Sequence, residues 1–164
     1  MNDGGPPMPA TESARLAEYA AAVRQSTMFR LKAVPDGSEN FRLTDEAMSF
    51  ADIAKHLIDS DEWLFRMLKE KGITPIDGIV GAVTIENRQQ YDELLEDLER
   101  IGEQRIKLIR NLSDSQLSEE MFDARYGREV SMWWIIVRGN LDHEAHHRGQ
   151  IAACLRKLGI GRPQ

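Results

Sequence analysis

Cysteine is nearly missing from this sequence of 164 residues. Its one thiol, Cys154, cannot close an internal disulfide, so the chain is expected to rely on an apolar core and to suit a reducing, cytoplasmic setting. Long apolar runs are also missing. No 18 consecutive residues are apolar, and the opening MNDGGPPMPA has neither a basic n-region nor an apolar h-region, so neither a spanning helix nor a secretory signal is expected. Residues 1 to about 10, rich in Gly and Pro, read as a disordered leader. Runs of Lys and Arg are lacking as well, and the formal charge is −6, which weighs against a nucleic-acid partner. Strand-like runs of β-branched residues are scarce, whereas Ala, Leu, Glu, Arg and Lys are plentiful. A single, mostly helical domain over residues 11–164 is the expectation.

Four stretches carry helical periodicity. The first runs from about Thr11 to Val34, with Leu16, Tyr19, Ala20, Val23, Thr27 and Leu31 at spacings of three and four, and stops before Pro35-Asp36-Gly37. The second opens at Ser49, an N-cap with Asp52 three residues on, turns Ile53, His56, Leu57, Ser60, Leu64, Met67 and Leu68 inward, and ends at Gly72. After it comes GITPIDGIVGAVT, a loop apolar enough at Ile73, Ile76, Ile79 and Val80 to pack over something. The third helix, about Glu86 to Asn111, sets Tyr91, Leu94, Leu95, Leu98, Ile101 and Leu108 against a charged, solvated face, and Leu112 continues that apolar line. Between Ser113 and Val130 a small hairpin is expected around Tyr126-Gly127, and the fourth helix runs from the N-cap Ser131 to Leu158 before Gly159 and Gly161. The natural architecture is an all-α four-helix bundle, a form that builds metal sites from side chains on facing helices.

Histidine is rare, four in all, and three of them fall in the stretch HEAHHRGQ. On a wheel of 100° per residue with His143 at zero, Trp133, Ile136, Asn140, Ile151, Cys154 and Leu158 define a buried stripe between roughly +20° and +80°. His147 lies at its centre, His143 at its edge and His146 outside it. Residues four apart share a face, so His143 and His147 can offer ring nitrogens to one ion without disturbing the helix. His143 and His146 could chelate too, but the stripe argues against that pair. His56, between Ile53 and Leu57, faces inward on the second helix. Three buried imidazoles converging without an ion leave lone pairs unsatisfied, and a divalent metal resolves this while keeping a coordination position open. Taken alone, a histidine on an apolar face is more often a hydrogen-bonded core residue.

H-E-x-x-H is also the spacing of zinc peptidases. Their third ligand lies downstream, however, and nothing after His147 is His, Glu or Asp. Glu144, near +100°, falls beside the stripe and reads as a surface carboxylate paired with Arg148. Cys154 reads as a small core hydrophobe and His146 as exposed or supporting. Trp134, opposite the stripe, marks a possible association surface, and Arg125 and Arg128 on the hairpin are possible pocket walls facing an anionic group.

The segments SFADIAKHLIDSDEWLF and WWIIVRGNLDHEAHHRGQIAACLRKLG resemble those of the DinB-like, or YfiT-like, superfamily of metalloenzymes. The resemblance implies a four-helix bundle, commonly homodimeric, with zinc, nickel or iron on three histidines, here His56, His143 and His147. It also implies a small-molecule substrate and, in some relatives, a low-molecular-weight thiol cosubstrate. The expected function is a metal-dependent thiol S-transferase of a detoxification type; the alternatives are a metal-dependent hydrolase and a non-catalytic metal-binding stress-response module.

Overall fold

Each long helix begins where a side chain can cap it. In the computed structural model, which describes residues 11–71 and 78–161, α1 spans Glu12–Leu31 behind Thr11, whose hydroxyl accepts the Ala14 N–H at 3.1 Å. The expected leader and the Gly72 stop lie outside the described residues. Helix α2, Phe50–Glu70, starts with a reciprocal cap: Ser49 Oγ accepts from Asp52 N at 3.1 Å, and the Asp52 carboxylate accepts from Ser49 N at 2.9 Å. It ends at Lys71 in the left-handed conformation, φ 54°. Helix α3, Arg88–Arg110, is capped by Asn87, and a short α4, Asp114–Ser118, by Ser113.

The expected hairpin forms from β1, Glu120–Asp123, antiparallel to β2, Arg128–Ser131. The Tyr126 and Gly127 N–H groups close its turn on the Asp123 carbonyl, and Gly127, at φ 63°, adopts a conformation that only glycine tolerates readily. The last helix then runs unbroken through α5, Met132–Trp134, a π-helical segment π1, Ile135–Leu141, and α6, Asp142–Lys157. Helix α1 packs along α3 and α6, and α2 along α3, π1 and α6, giving the expected all-α bundle with the hairpin at one end.

Two apolar clusters are strung along the bundle. One joins Met28, Leu31, Phe50, Ile53, Leu57, Tyr91, Leu98, Ile151 and Cys154; the other joins Leu16, Ala20, Trp63, Leu64, Met67, Ile109, Met132, Ile135 and Leu141. On each of the long helices a polar residue falls between the two: Arg24 on α1, Ser60 and Asp61 on α2, Arg105 on α3, and Asn140 and Glu144 at the join of π1 and α6. The core is therefore a sandwich along the helix axes, apolar at both ends and charged at mid-height. Burying each large apolar side chain contributes about 1.5–3 kcal/mol, so the two clusters supply the driving force and the layer between them must satisfy itself internally.

Several expected positions differ. Tyr19 is 52% exposed, because the inward face of α1 runs through Ala17, Ala20 and Arg24 instead. Ile79 is 65% exposed and Val80 is exposed too, so this part of the loop does not bury them. Trp133, placed in the buried stripe by the wheel, is 37% exposed, while Met132 and Ile135 are buried. The cause is π1, where the Asp142 N–H reaches back five residues to the Val137 carbonyl. A wider turn rotates each residue on the order of 15° less than an α-helical step, so seven such residues displace everything before them by about 100° on the wheel. Trp134, expected opposite the stripe, consequently turns partly inward against the second cluster, beneath Tyr126 and the Arg128 guanidinium.

Candidate metal centre

Helix α2 supplies His56, and helix α6 supplies His143, 87 residues further along the chain, and His147 one turn beyond it. Their rings meet edge to face in a triangle, with centroids 4.7, 4.8 and 4.5 Å apart and interplanar angles of 82°, 81° and 89°. The nitrogens face one another: His143 Nε2 lies 2.9 Å from His56 Nε2 and 3.0 Å from His147 Nε2. Ligands about 2.0–2.1 Å from an ion, separated by 90° to 110°, stand about 2.9–3.4 Å apart, and both donor distances from His143 fall in that range. One potential ligand atom from each of the three residues falls within a 4.8 Å span.

Protonation states agree with that chemistry. Burial pushes the His143 imidazole down to about 3, with the neighbouring His147 and His56 adding to the effect, and pushes His147 down to about 4. His56 is lowered by burial as well. All three rings are therefore neutral at pH 7, the form that binds metals.

The outer nitrogens orient the rings. His147 donates its Nδ1–H to Gln150 Oε1 at 2.7 Å, which leaves the Nε2 lone pair turned to the triangle. Ser60 Oγ lies 3.3 Å from His143 Nδ1 and accepts from Asn140 Nδ2 at 3.2 Å. His146 is exposed; its ring meets the His147 ring edge to face at 5.2 Å, and Gln150 Nε2 donates to its Nε2 at 3.2 Å. The loop contributes a wall: a Cβ on Gly78 would lie 3.5 Å from His56 Cε1.

Glu144 corrects the sequence reading. It is not a surface carboxylate paired with Arg148; it is 1% exposed and ion-paired with residues of α1 and α3, away from the triangle's donors. Arg24 donates to it from Nε at 2.9 Å and Nη2 at 3.1 Å, and Arg105 donates from Nη1 at 2.7 Å. Asp61 completes the set, accepting from Arg24 at 2.8 Å and Arg105 at 2.9 Å. Asn140 joins in, its Oδ1 accepting from Arg105 at 3.1 Å and its Nδ2 donating to Asp61 at 3.1 Å. Two guanidinium and two carboxylate groups balance. Burial would raise the Glu144 carboxyl, but the charges of Arg105 and Arg24 and their hydrogen bonds outweigh it and hold it down at about 2. A carboxylate buried between two guanidinium groups is held in its charged form by them rather than turned to a bound water, and the peptidase reading of H-E-x-x-H loses its base.

The sequence reading missed Arg24, Asp61 and Arg105. The signal was present: Arg24 is four residues from Ala20 and three from Thr27, and Arg105 is four from Ile101, so both sit on apolar faces. Cys154 is buried as expected, with its thiol pushed up by burial. Arg125 is fixed in place: it holds the buried Asp123 carboxylate through Nε and Nη2 at 2.9 and 2.6 Å and stacks over Trp63 at 4.7 Å.

Among solved structures, the fold resembles YfiT from Bacillus subtilis, described as a probable metal-dependent hydrolase with an unusual four-helix bundle topology. The TM-score is 0.70 with 16% identity, over 94% of this chain and 93% of that one. A DinB-like protein from Bacillus subtilis matches at a TM-score of 0.65 with 19% identity, over 88% and 92%. No curated protein matches. Residues 19–151 match the family description of the DinB superfamily, and the chain belongs to that superfamily.

Proposed function

We propose that this chain is a metal-dependent enzyme acting on a small molecule, with His56, His143 and His147 as the ligands of a divalent cation. The observation that carries the reading is the triangle of neutral imidazoles whose Nε2 atoms face inward at 2.9 and 3.0 Å. A cation bound there would supply Lewis acidity and lower the pKa of a coordinated thiol or water. The chain's own part is to keep three donors deprotonated by burial and to orient His147 through Gln150 and His143 through Ser60. Two apolar clusters on the same set of helices support one working unit over residues 11–164.

The finer reading is thiol S-transfer of a detoxification type, in which a low-molecular-weight thiol is the nucleophile. It is favoured by the occupation of Glu144 in the buried ion pairs: a thiol ionises far more easily than water and needs no carboxylate base. The likeness to YfiT favours a second reading, hydrolysis at the same ligands. Metal analysis of the purified protein and of His56→Ala tests the first claim: stoichiometric zinc, nickel or iron is expected in the parent and its loss in the variant, and unchanged metal in His56→Ala refutes the triangle. Size-exclusion chromatography checks the homodimer that the family resemblance implies. Turnover of a chromogenic electrophile only with added thiol supports transfer, and turnover without it supports hydrolysis.

A further inference from the structure

Along the seam between α2 and the last helix, the triangle gives way to a different constellation. His56, Ser60 and Trp63 follow one another on α2, and His147, His143 and Gly139 run the opposite way on the facing helix. Ser60 meets His143, and one turn further Trp63 meets Gly139, where an added Cβ would stand 3.1 Å from the indole Cη2 and 3.1 Å from Arg125 Nη2. Arg125 reaches this point from the hairpin. Its guanidinium carbon lies over the Trp63 ring, 4.7 Å from the centroid, with the Nε and Nη2 edge clamped by the buried Asp123 carboxylate at 2.9 and 2.6 Å. Its Nη1 has no hydrogen-bond partner among the described residues, and the side chain is 28% exposed.

A guanidinium has two edges that match a carboxylate, and Asp123 uses one of them. The other edge has no hydrogen-bond partner for Nη1 among the described residues, and its Nη2 corner comes so close to the last helix that only glycine fits at position 139. Stacking and clamping hold the group rigid, so a bound anion would order little on arrival. Gly139 precedes His143 by four residues, which sets the open edge about 6 Å from the His143 level along the helix. We propose that Arg125 is the specificity-determining residue of the site, selecting substrates that carry a carboxylate about one helical turn from the atom that meets the metal. The proposal rests on the metal-enzyme reading above. Trp63, Asp123 and Gly139 are its supports: a floor, a clamp and a clearance.

The test uses the cobalt-loaded protein and two probes that bind metals directly, succinic acid monohydroxamate and its neutral amide, read by the cobalt absorption band. The carboxylate probe is expected to bind about tenfold or more tightly than the amide, the scale of a charge-assisted pair. Arg125→Gln should erase that preference while leaving the affinity of the amide in place. Arg125→Lys, which keeps the charge without the planar fork, should retain a fraction of it. Equal binding of the two probes by the parent, or a preference that survives Arg125→Gln, overturns the role of Arg125 and leaves the metal reading intact. A chain that takes up no cobalt, or whose cobalt answers neither probe, takes both down together.

Discussion

Replacing Glu144 by Gln separates the buried ion-pair reading from the peptidase reading with one substitution. The side chain keeps its shape, but the mid-height layer goes from two cations and two anions to a surplus cation, with Asp61 alone facing Arg24 and Arg105. Breaking a buried pair in this way costs about 3–5 kcal/mol. The lowered carboxyl pKa leads to a figure of similar size. The carboxyl falls from 4.5 to about 2 on folding, and at 1.36 kcal/mol per unit that is about 3 kcal/mol of stability. A folded-state pKa below the unfolded one means that this stability is complete above pH 4.5 and drains away as the pH falls towards 2. Urea unfolding at pH 7 should show Glu144→Gln less stable by about 3 kcal/mol, a large share of the 5–15 kcal/mol typical of a domain. The loss should shrink when both proteins are compared below pH 4, and whatever Glu144→Gln remains folded should still bind metal. A substitution that costs under about 1 kcal/mol while removing activity would contradict this assignment and return Glu144 to the site as a base.

Metal-free protein should lose stability as the pH drops from about 6.5 towards 4, because the unfolded chain takes up protons there that the half-buried His143 and the buried His147 refuse; zinc, competing with those protons, should move the acid transition lower. Ser60→Ala and Gln150→Ala remove the partners of His143 and His147, and each should weaken metal binding about 10–100-fold in a competition titration with little change in melting temperature. His146→Ala, in contrast, should change metal stoichiometry not at all, and a stoichiometric loss there would mean that the ligand set is wrong.

The bundle and the triangle were legible for the same reason: both depend on spacing within regular α-helix. Leu16 to Leu31, Ile53 to Met67 and His143 to His147 lie on stretches where 100° per residue holds, and there, Tyr19 excepted, the wheel places the apolar residues and the histidines well. Trp133 and Trp134 were misassigned because π1 stands between them and the reference residue, and seven apolar and polar residues give no periodic mark of a wider turn. Glu144 was misread for another reason. A charge beside a stripe looks solvated unless its partner is in view, and its partners are 120 and 39 residues away on other helices. Pattern on one helix cannot show a pairing between helices, but the tally can. Two basic and two acidic residues on inward faces sum to zero, as a buried layer must.

HEAHHRGQ therefore serves two sides of one helix. His143 and His147 face α2, whereas Glu144, one step of 100° from His143, faces α1 and α3. Sliding or rotating α6 to improve one set would break the other, since Arg24 and Arg105 hold the carboxylate from two helices while Asp61 and Asn140 tie the same arginines to α2 and π1. The ion-pair layer is thereby a gauge for the triangle. Apolar residues in its place would bind the helices as strongly but would tolerate a shift of a turn or a fraction of one, and imidazole nitrogens that must stand about 3 Å apart tolerate neither. Buried charge that adds little net stability is kept, on this argument, for the angle at which it sets His143 and His147.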